Sequence, residues 1–209
     1  MSTQKALLIF GAGGHGRVVA DAALLQRAWA QISASDRDAD RCRGDLLPGV
    51  ALHPMGVLHD TTGPGVDVHV AIGGNLARQE EALAMGPARQ VSVVHPAALV
   101  SPFSNVAPGC FIAAGAVLGP GAQLEAGAIL NHGAVVDHDC RIGAYTHIAP
   151  NATLGGGVTV GQRVLVGAGA VVLPLVVIGD DITVGAGSVV RTDLTEAGTY
   201  AGIPARRIR

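Results

Sequence analysis

The chain has 209 residues, of which 49% are hydrophobic but only 3% are aromatic. Its formal net charge is −2 and its charges are dispersed without a basic run, which argues against nucleic acid and anionic membranes as partners. No run of uncharged apolar residues is long enough to span a bilayer, and the first residues lack a cleavable signal pattern. We therefore expect a cytoplasmic protein.

The N-terminal part of the chain predicts a strand, a glycine turn and a helix, in that order. Residues 5–10 form a short apolar run, residues 11–16 match the pattern G-x-G-x-x-G, and residues 17–29 place Val18, Ala22 and Leu25 on one helical face. A second strand and helix are predicted at residues 67–72 and 76–85, with a turn between them. Residues 47–65, rich in Pro, Gly and Thr, predict a loop with at most a short strand.

The glycine turn is the first candidate binding site. Backbone N–H groups at the start of a helix favour a pyrophosphate, and Asp36 follows Gly16 by twenty residues, as in dinucleotide-binding folds. A domain of this size is too small for both halves of NAD, so a single nucleotide diphosphate fits better. The alternative is a tight packing turn without a ligand. His15 either contacts a phosphate or caps the helix.

The second half of the chain repeats with a period of six. An aliphatic residue occupies every sixth position from Val94 to Val190, seventeen positions in one register, and a small or β-branched residue follows each of the first sixteen by four positions. A period of six fits neither a helix nor an ordinary strand. It is the hexapeptide signature of a parallel β-helix, in which three hexads make one coil and each coil buries its aliphatic layer against its neighbours. Cys110 and Cys140 fill the small inward position, which predicts buried packing thiols.

These patterns predict a Rossmann-like α/β half domain over residues 1–92, followed by an all-β parallel β-helix over residues 93–209. Three exterior histidines, His132, His138 and His147, raise the alternative of a zinc-holding trimer of the γ-carbonic anhydrase type. Their spacings of six and nine residues do not match the closely spaced histidine pair of those enzymes, so we expect no metal.

Several motifs together resemble the family of nucleotide-sugar acetyltransferases that is grouped with sialic acid O-acetyltransferases. The matching residues follow the family's order over nearly the whole chain: residues 11–19, 71–75, 136–143 and 202–206, with Arg78, His95, Pro96, Asn131 and His147. The resemblance implies an N-terminal sugar-nucleotide domain, a left-handed β-helix, a homotrimer, and acetyl-CoA bound in the groove between adjacent β-helices. It implies acetyl transfer to the 4-amino group of a nucleotide-linked amino sugar, with a UDP-linked 4-amino-4,6-dideoxy sugar favoured over GDP-perosamine.

The resemblance also implies roles for individual residues. It makes His138 and Asp139 the catalytic pair, since an amine that attacks a thioester must lose a proton to a base. It implies acetyl-CoA contacts by His147, Ala168 and Ala186. We expect substrate contacts from the residues of the N-terminal loops: Gly13, Gly14, His15, Ser35, Asp36 and Gly73.

The length of one coil adds a further catalytic candidate. A coil of 18 residues stacks Gly156, in the middle of a three-glycine run, against His138. A developing oxyanion needs a hydrogen-bond donor, so we predict that the Gly156 N–H supplies it.

Two other functions remain open at this point. One is O-acetylation of a sugar such as a sialic acid. A simple sugar would have no use for a pyrophosphate loop, which favours the nucleotide-linked amine. The other is a binding or scaffold protein that keeps the architecture without activity, against which the intact His138, Asp139 and glycine run argue.

Overall fold

The computed structural model describes residues 5–54, 65–85 and 90–208 of the chain. The chain divides into two compact units, Met1–Pro96 and Ala97–Arg209. Across the described residues, no helix is both long enough and apolar enough to cross a membrane.

The first unit is an α/β fold. In chain order its elements are β1 (Ala6–Phe10), α1 (Gly14–Gln26), β2 (Gln31–Ser35), a 3-10 turn (Ala39–Arg41), β3 (Asp45–Leu47), β4 (Val50–Leu52), β5 (Val66–Val70), α2 (Asn75–Ala84) and β6 (Val93–Val94). The sheet order is β3-β4-β2-β1-β5, with β3 antiparallel and the other pairs parallel. The loops after β1, β2 and β5 therefore leave the sheet at the same edge, which is where open α/β sheets bind ligands.

Helix α1 begins and ends three residues earlier than predicted, and its buried face also differs. It begins at Gly14, with Gly13 as N-cap, and it buries five small or branched residues: Gly16, Val19, Ala20, Ala22 and Ala23. Leu25, predicted on the same helical face as Ala22, is 50% exposed, whereas Ala22 is buried. The cause is the close approach of helix and strand, because a Cβ on Gly16 would overlap the carbonyl oxygen of Gly11. Strands β2 and β3 are additions to the predicted elements.

The second unit is a parallel β-helix with three faces. Face 1 contains β7 (Leu99–Val100), β10 (Val117–Leu118), β13 (Val135–Val136), β16 (Thr153–Leu154), β19 (Val171–Val172) and β22 (Val189–Val190). Face 2 contains β8 (Asn105–Val106), β11 (Gln123–Leu124), β14 (Arg141–Ile142), β17 (Thr159–Val160) and β20 (Val177–Ile178). Face 3 contains β9 (Phe111–Ile112), β12 (Ile129–Leu130), β15 (His147–Ile148), β18 (Leu165–Val166), β21 (Ile182–Val184), β23 (Gly198–Ala201) and β24 (Arg206–Arg207).

The packing predicted from the hexads is confirmed from Ile112 onward, whereas Val94, Val100 and Val106 are only partly buried. The aliphatic positions from Ile112 to Val190 are all buried, none with more than 2% of its surface exposed. Cys110 and Cys140 are completely buried, and Sγ of Cys140 donates a hydrogen bond to the Gly155 carbonyl at 3.2 Å. Paired strands on each face are 18 residues apart, as in Val135 with Thr153, so one coil is three hexads. That the coil is left-handed rests on the family resemblance.

The chain turns at three corners in each coil, and one residue of each corner has a left-handed (αL) backbone. Positive φ recurs at every sixth residue from Gly109 to Gly187, fourteen positions of which eight are glycine. Asp139, with φ 60, is one of the six exceptions. We name the turn from face 1 to face 2 corner 1, that from face 2 to face 3 corner 2, and that from face 3 to face 1 corner 3.

Candidate active site

His138 and Asp139 lie at corner 1, between β13 and β14. On a straight strand their side chains would point to opposite faces. The αL backbone of Asp139 turns the chain instead, so that Nδ1 of His138 lies 2.9 Å from Oδ2 of Asp139. The two side chains are 58% and 72% exposed, and a substrate can therefore reach them from outside the β-helix. The corner thus forms an imidazole–carboxylate dyad from adjacent residues.

The charges around His138 favour its protonated form. The hydrogen bond to Asp139 is the largest cause that raises the pKa of His138, followed by the negative charge of Asp137. Oδ1 of Asp137 also accepts the His138 backbone N–H at 2.7 Å, which fixes the start of the corner. Because a carboxylate can only accept, the bond assigns a hydrogen to Nδ1 and leaves the lone pair of the neutral ring on Nε2. This is the arrangement of a general base.

Gly156 lies against the imidazole of His138, one coil further along. A Cβ on Gly156 would overlap Nε2 of the ring, so another residue at this position would displace the imidazole. The Gly157 N–H donates to the His138 carbonyl at 2.9 Å and joins the two corners. In the described structure the Gly156 N–H donates to no protein acceptor.

Two glycines that sequence reasoning missed contact the dyad from the preceding coil. A Cβ on Gly119 would lie 2.7 Å from the backbone nitrogen of His138, and one on Gly121 would overlap Oδ1 of Asp139. The Asp139 N–H donates to the Pro120 carbonyl at 3.0 Å. The 18-residue coil length could have identified both, since each stands one coil before a residue of the dyad or its neighbour.

The three residues expected to contact acetyl-CoA lie away from corner 1. His147 is on β15 of face 3, where its Nε2 is 3.0 Å from Nδ2 of Asn131. Ala168 and Ala186 are exposed at corner 3, one directly above the other in the stack of coils. Within one chain, the structure therefore does not bring these residues together with His138.

The predicted substrate residues of the first unit share one edge of its sheet. Gly13, Gly14 and His15 follow β1, Ser35 and Asp36 end or follow β2, and Gly73 follows β5. Helices α1 and α2 begin at this edge with Gly13 and Gly74 as N-caps, and neither has a side-chain cap or an acidic residue in its first turn. Such helix starts present N–H groups and a partial positive charge to an anion.

Ser35 and Asp36 support the glycine turn. Ser35 is completely buried, and its hydroxyl donates to the His53 carbonyl at 2.7 Å. Oδ2 of Asp36 accepts the Ala12 N–H at 2.8 Å, and its Oδ1 accepts the Asp38 N–H at 3.0 Å. These contacts fix the loop between β1 and α1, and a substrate contact from either side chain stays a prediction.

Arg78 holds the second loop of this edge. Its side chain is buried, and Nη1 donates to the carbonyls of Ile72 and Gly73 at 2.9 and 3.1 Å. Nη2 donates to Oδ1 of Asn75 at 3.1 Å. The guanidinium thereby fixes the turn before α2 and adds a positive charge next to the expected anion site.

The three exterior histidines are dispersed over the β-helix. His132 lies at corner 3, His138 at corner 1 and His147 on face 3. Among the residues that the structure describes, no group of three or more His, Cys, Asp or Glu side chains is arranged to hold a metal ion.

Comparison with known proteins identifies relatives of both units. Residues 6–82 match the family model of the PglD N-terminal domain, and residues 121–156 match that of the bacterial transferase hexapeptide (six repeats). A search of curated proteins finds no match.

Solved structures similar to this chain cover nearly all of it. The acetyltransferase domain of PglB from Neisseria gonorrhoeae FA1090, in complex with acetyl coenzyme A, is 34% identical with a TM-score of 0.88, over 98% of this chain and 100% of that one. PerB from Caulobacter crescentus, in complex with CoA and GDP-perosamine, is 35% identical with a TM-score of 0.86, over 97% and 96%. WeeI from Acinetobacter baumannii AYE, 21% identical with a TM-score of 0.82 over 97% and 99%, shares the fold.

Proposed function

The chain belongs to the hexapeptide acyltransferase family, and on this premise we propose that it transfers the acetyl group of acetyl-CoA to the 4-amino group of a nucleotide-linked amino sugar. The observation that carries the proposal is the dyad at corner 1, in which Asp139 leaves Nε2 of His138 available as a base beside Gly156. Relatives that bind acetyl-CoA, or CoA with GDP-perosamine, support the choice of both substrates.

His138 is the proton acceptor in this proposal. Its Nε2 removes a proton from the amine as the nitrogen attacks the thioester carbonyl. The C–N bond forms, the C–S bond breaks, and the proton passes from His138 to the departing sulfur, which gives the amide and the CoA thiol. Asp139 keeps the ring in the required tautomer and stabilises the imidazolium that forms.

Gly156 supplies the oxyanion donor in the same proposal. The attack places negative charge on the carbonyl oxygen, and a fixed backbone N–H stabilises that charge without reorganisation. Gly156 qualifies because it touches the imidazole and its N–H is not engaged by the described part of the protein.

A homotrimer completes the acetyl-CoA site. His138 is at corner 1, whereas Ala168 and Ala186 are at corner 3 and His147 is on face 3. One acetyl-CoA molecule contacts both sets where corner 1 of one copy meets corner 3 of another. A heterologous contact of this kind closes into a ring, and three copies of a three-sided β-helix form such a ring.

Residues 1–92, which lie within the first unit, are the proposed nucleotide-sugar domain. Gly13, Gly14 and Gly73 have room at their Cβ positions, since no atom of the described residues comes closer to them than 4.0 Å. A diphosphate therefore has access to the backbone at both helix starts, beside His15. We favour a UDP-linked sugar over a GDP-linked one, although the PerB complex contains GDP-perosamine.

The remaining parts of the proposal concern location and partners. The buried thiols of Cys42, Cys110 and Cys140 support a cytoplasmic protein, since reduced cysteines persist in that compartment. The small net charge of −2 gives no attraction to nucleic acid or to an anionic membrane.

A substrate panel tests this function. Purified protein is incubated with acetyl-CoA and UDP- or GDP-linked 4-amino-4,6-dideoxy sugars, thiol release is followed, and the acetylated position is located by NMR. We expect turnover with acetyl on the amine nitrogen. Acetylation of a free sialic acid hydroxyl, with every nucleotide-linked amine inert, would instead establish the O-acetyltransferase alternative.

A further inference from the structure

The dyad lies between two glycine-rich stretches at corner 1. Residues 119–121 are one coil before it, and residues 155–157 are one coil after it. The second stretch carries the proposed oxyanion donor, whereas no step of the proposed reaction uses the first. Gly121 touches the carboxylate of Asp139 and not the imidazole.

The two carboxylate oxygens of Asp139 have different neighbours. Oδ2 is the atom 2.9 Å from Nδ1 of His138. Oδ1 occupies the space that a Cβ of residue 121 would fill, and the Asp139 Cα is 3.6 Å from that same point. The backbone of Asp139 is fixed as well, since its N–H donates to the Pro120 carbonyl at 3.0 Å. The carboxylate therefore cannot keep its position if residue 121 carries a side chain.

We propose that Gly121 is a positioning residue for the acetyl transfer, because its missing side chain is the space in which the Asp139 carboxylate rests while it holds Nδ1 of His138. This inference rests on the proposed function. Gly127, Gly133 and Gly157 likewise leave room for a side chain of the next coil, but at Gly121 that side chain belongs to the dyad.

Few charged groups face His138 in the described structure. Asp139 and Asp137 lie on its own corner and both raise its pKa, Asp139 most strongly through the hydrogen bond. The stacked corners, residues 119–121 and 155–157, consist of glycine and proline and carry no ionisable side chain. Arg141, the next cation along the chain, begins face 2. Displacing the Asp139 carboxylate therefore removes the main cause of the raised pKa of His138.

Gly121→Ala is the test, with Gly115→Ala as its matched control. Both glycines have αL backbone, φ 74 and φ 71, so alanine costs about the same backbone strain at each. Among the described residues a Cβ on Gly115 meets nothing closer than 3.8 Å, and Gly115 lies at corner 3 about three coils before Ala168, outside the proposed acetyl-CoA contacts. We expect Gly121→Ala to lower kcat by about tenfold to a hundredfold, as for a catalytic group displaced by about 1 Å. The acidic limb of its kcat/KM profile should move to lower pH. Gly115→Ala should keep the wild-type kcat and the wild-type position of that limb.

An Asp139→Ala background separates positioning from a general loss of structure. Asp139→Ala removes the atom that overlaps residue 121, so the double variant folds even where Gly121→Ala alone does not. We expect the double variant to have the kcat of Asp139→Ala, with no additional loss. The inference would be overturned if Gly121→Ala lowered kcat by the same factor in the Asp139→Ala background as in the wild type. It would also be overturned if Gly121→Ala alone kept the wild-type kcat and pH profile. Wild-type activity of Asp139→Ala itself would instead overturn the proposed role of the dyad.

Discussion

At the scale of single residues, the αL backbone of Asp139 brings a carboxylate onto the neighbouring imidazole. A non-glycine residue in a sparsely populated conformation costs roughly 1–3 kcal/mol, and Asp accepts αL more readily than most residues do. An exposed ion pair returns little of that stability because water screens it. We infer that the pair is retained for the tautomer and orientation that it imposes on His138.

Replacing His138 tests the base directly. We predict that His138→Ala lowers kcat by about 10²–10⁴, the usual contribution of general acid–base catalysis. The side chain is exposed at the corner, so the fold and the oligomeric state should survive, as circular dichroism and light scattering can check. Turnover close to that of the wild type would remove His138 from the mechanism.

The pH profile tests the carboxylate. The base must be neutral, and Asp139 and Asp137 hold the pKa of His138 above its ordinary value, so activity should fall as the pH drops through that raised pKa. Asp139→Asn removes the negative charge but leaves an oxygen that accepts from Nδ1. We therefore predict a smaller loss of kcat than for His138→Ala and an acidic limb of kcat/KM shifted to lower pH. A limb that stays in place would show that Asp139 does not set this pKa.

At the scale of elements, the starts of α1 and α2 contain two kinds of glycine. Gly11 and Gly16 are packing residues, since a Cβ on Gly11 would lie 2.6 Å from the Ala71 carbonyl oxygen and one on Gly16 would overlap the Gly11 carbonyl. Gly13, Gly14 and Gly73 face open space. The packing interpretation therefore holds for Gly11 and Gly16, whereas phosphate binding at the other glycines stays a prediction.

This division predicts opposite effects for two substitutions. Gly14→Val should leave Tm nearly unchanged, because nothing in the described part of the chain lies within 4 Å of its Cβ position. It should raise KM for the nucleotide sugar about ten- to a hundredfold, the loss of one hydrogen bond to a charged group. Gly16→Ala, the control, should lower Tm through its clash with Gly11. An unchanged KM for Gly14→Val would place the diphosphate elsewhere.

Periodicity predicted the β-helix well because each buried layer repeats the same two positions, as Ile142 and Thr146 do. It predicted α1 less well, since the small residues that let this helix approach the sheet, Ala20 and Ala23, carry little pattern. The separation of His138 from Ala168 on different corners could have been predicted from their residue numbers alone. The two are thirty residues apart, or five hexads, which is not a whole number of coils.

The role of Gly121 was less accessible from sequence. The coil length places residue 121 beside residue 139. Which atom of Asp139 fills the space of the missing Cβ depends on the backbone dihedrals of the corner and on the rotamer of that side chain, and neither follows from a pattern of residue types.

At the scale of the whole molecule, the separation of corner 1 from corner 3 predicts complementation between two inactive variants. His138→Ala removes the base, and Ala168→Trp blocks the proposed acetyl-CoA groove. In mixed trimers with a site between copies, random assortment leaves about one quarter of the sites with both corners intact. Co-expression and activity assay should recover that fraction. A mixture as inactive as its parents would place the whole site within one chain.

The most direct test of the central claim is a crystal structure of the chain with CoA and a nucleotide-linked 4-amino sugar bound together. The account predicts the CoA sulfur and the amine nitrogen at corner 1, with the nitrogen within about 3–3.5 Å of Nε2 of His138, the separation at which groups react. A CoA sulfur remote from His138 of every copy would contradict it.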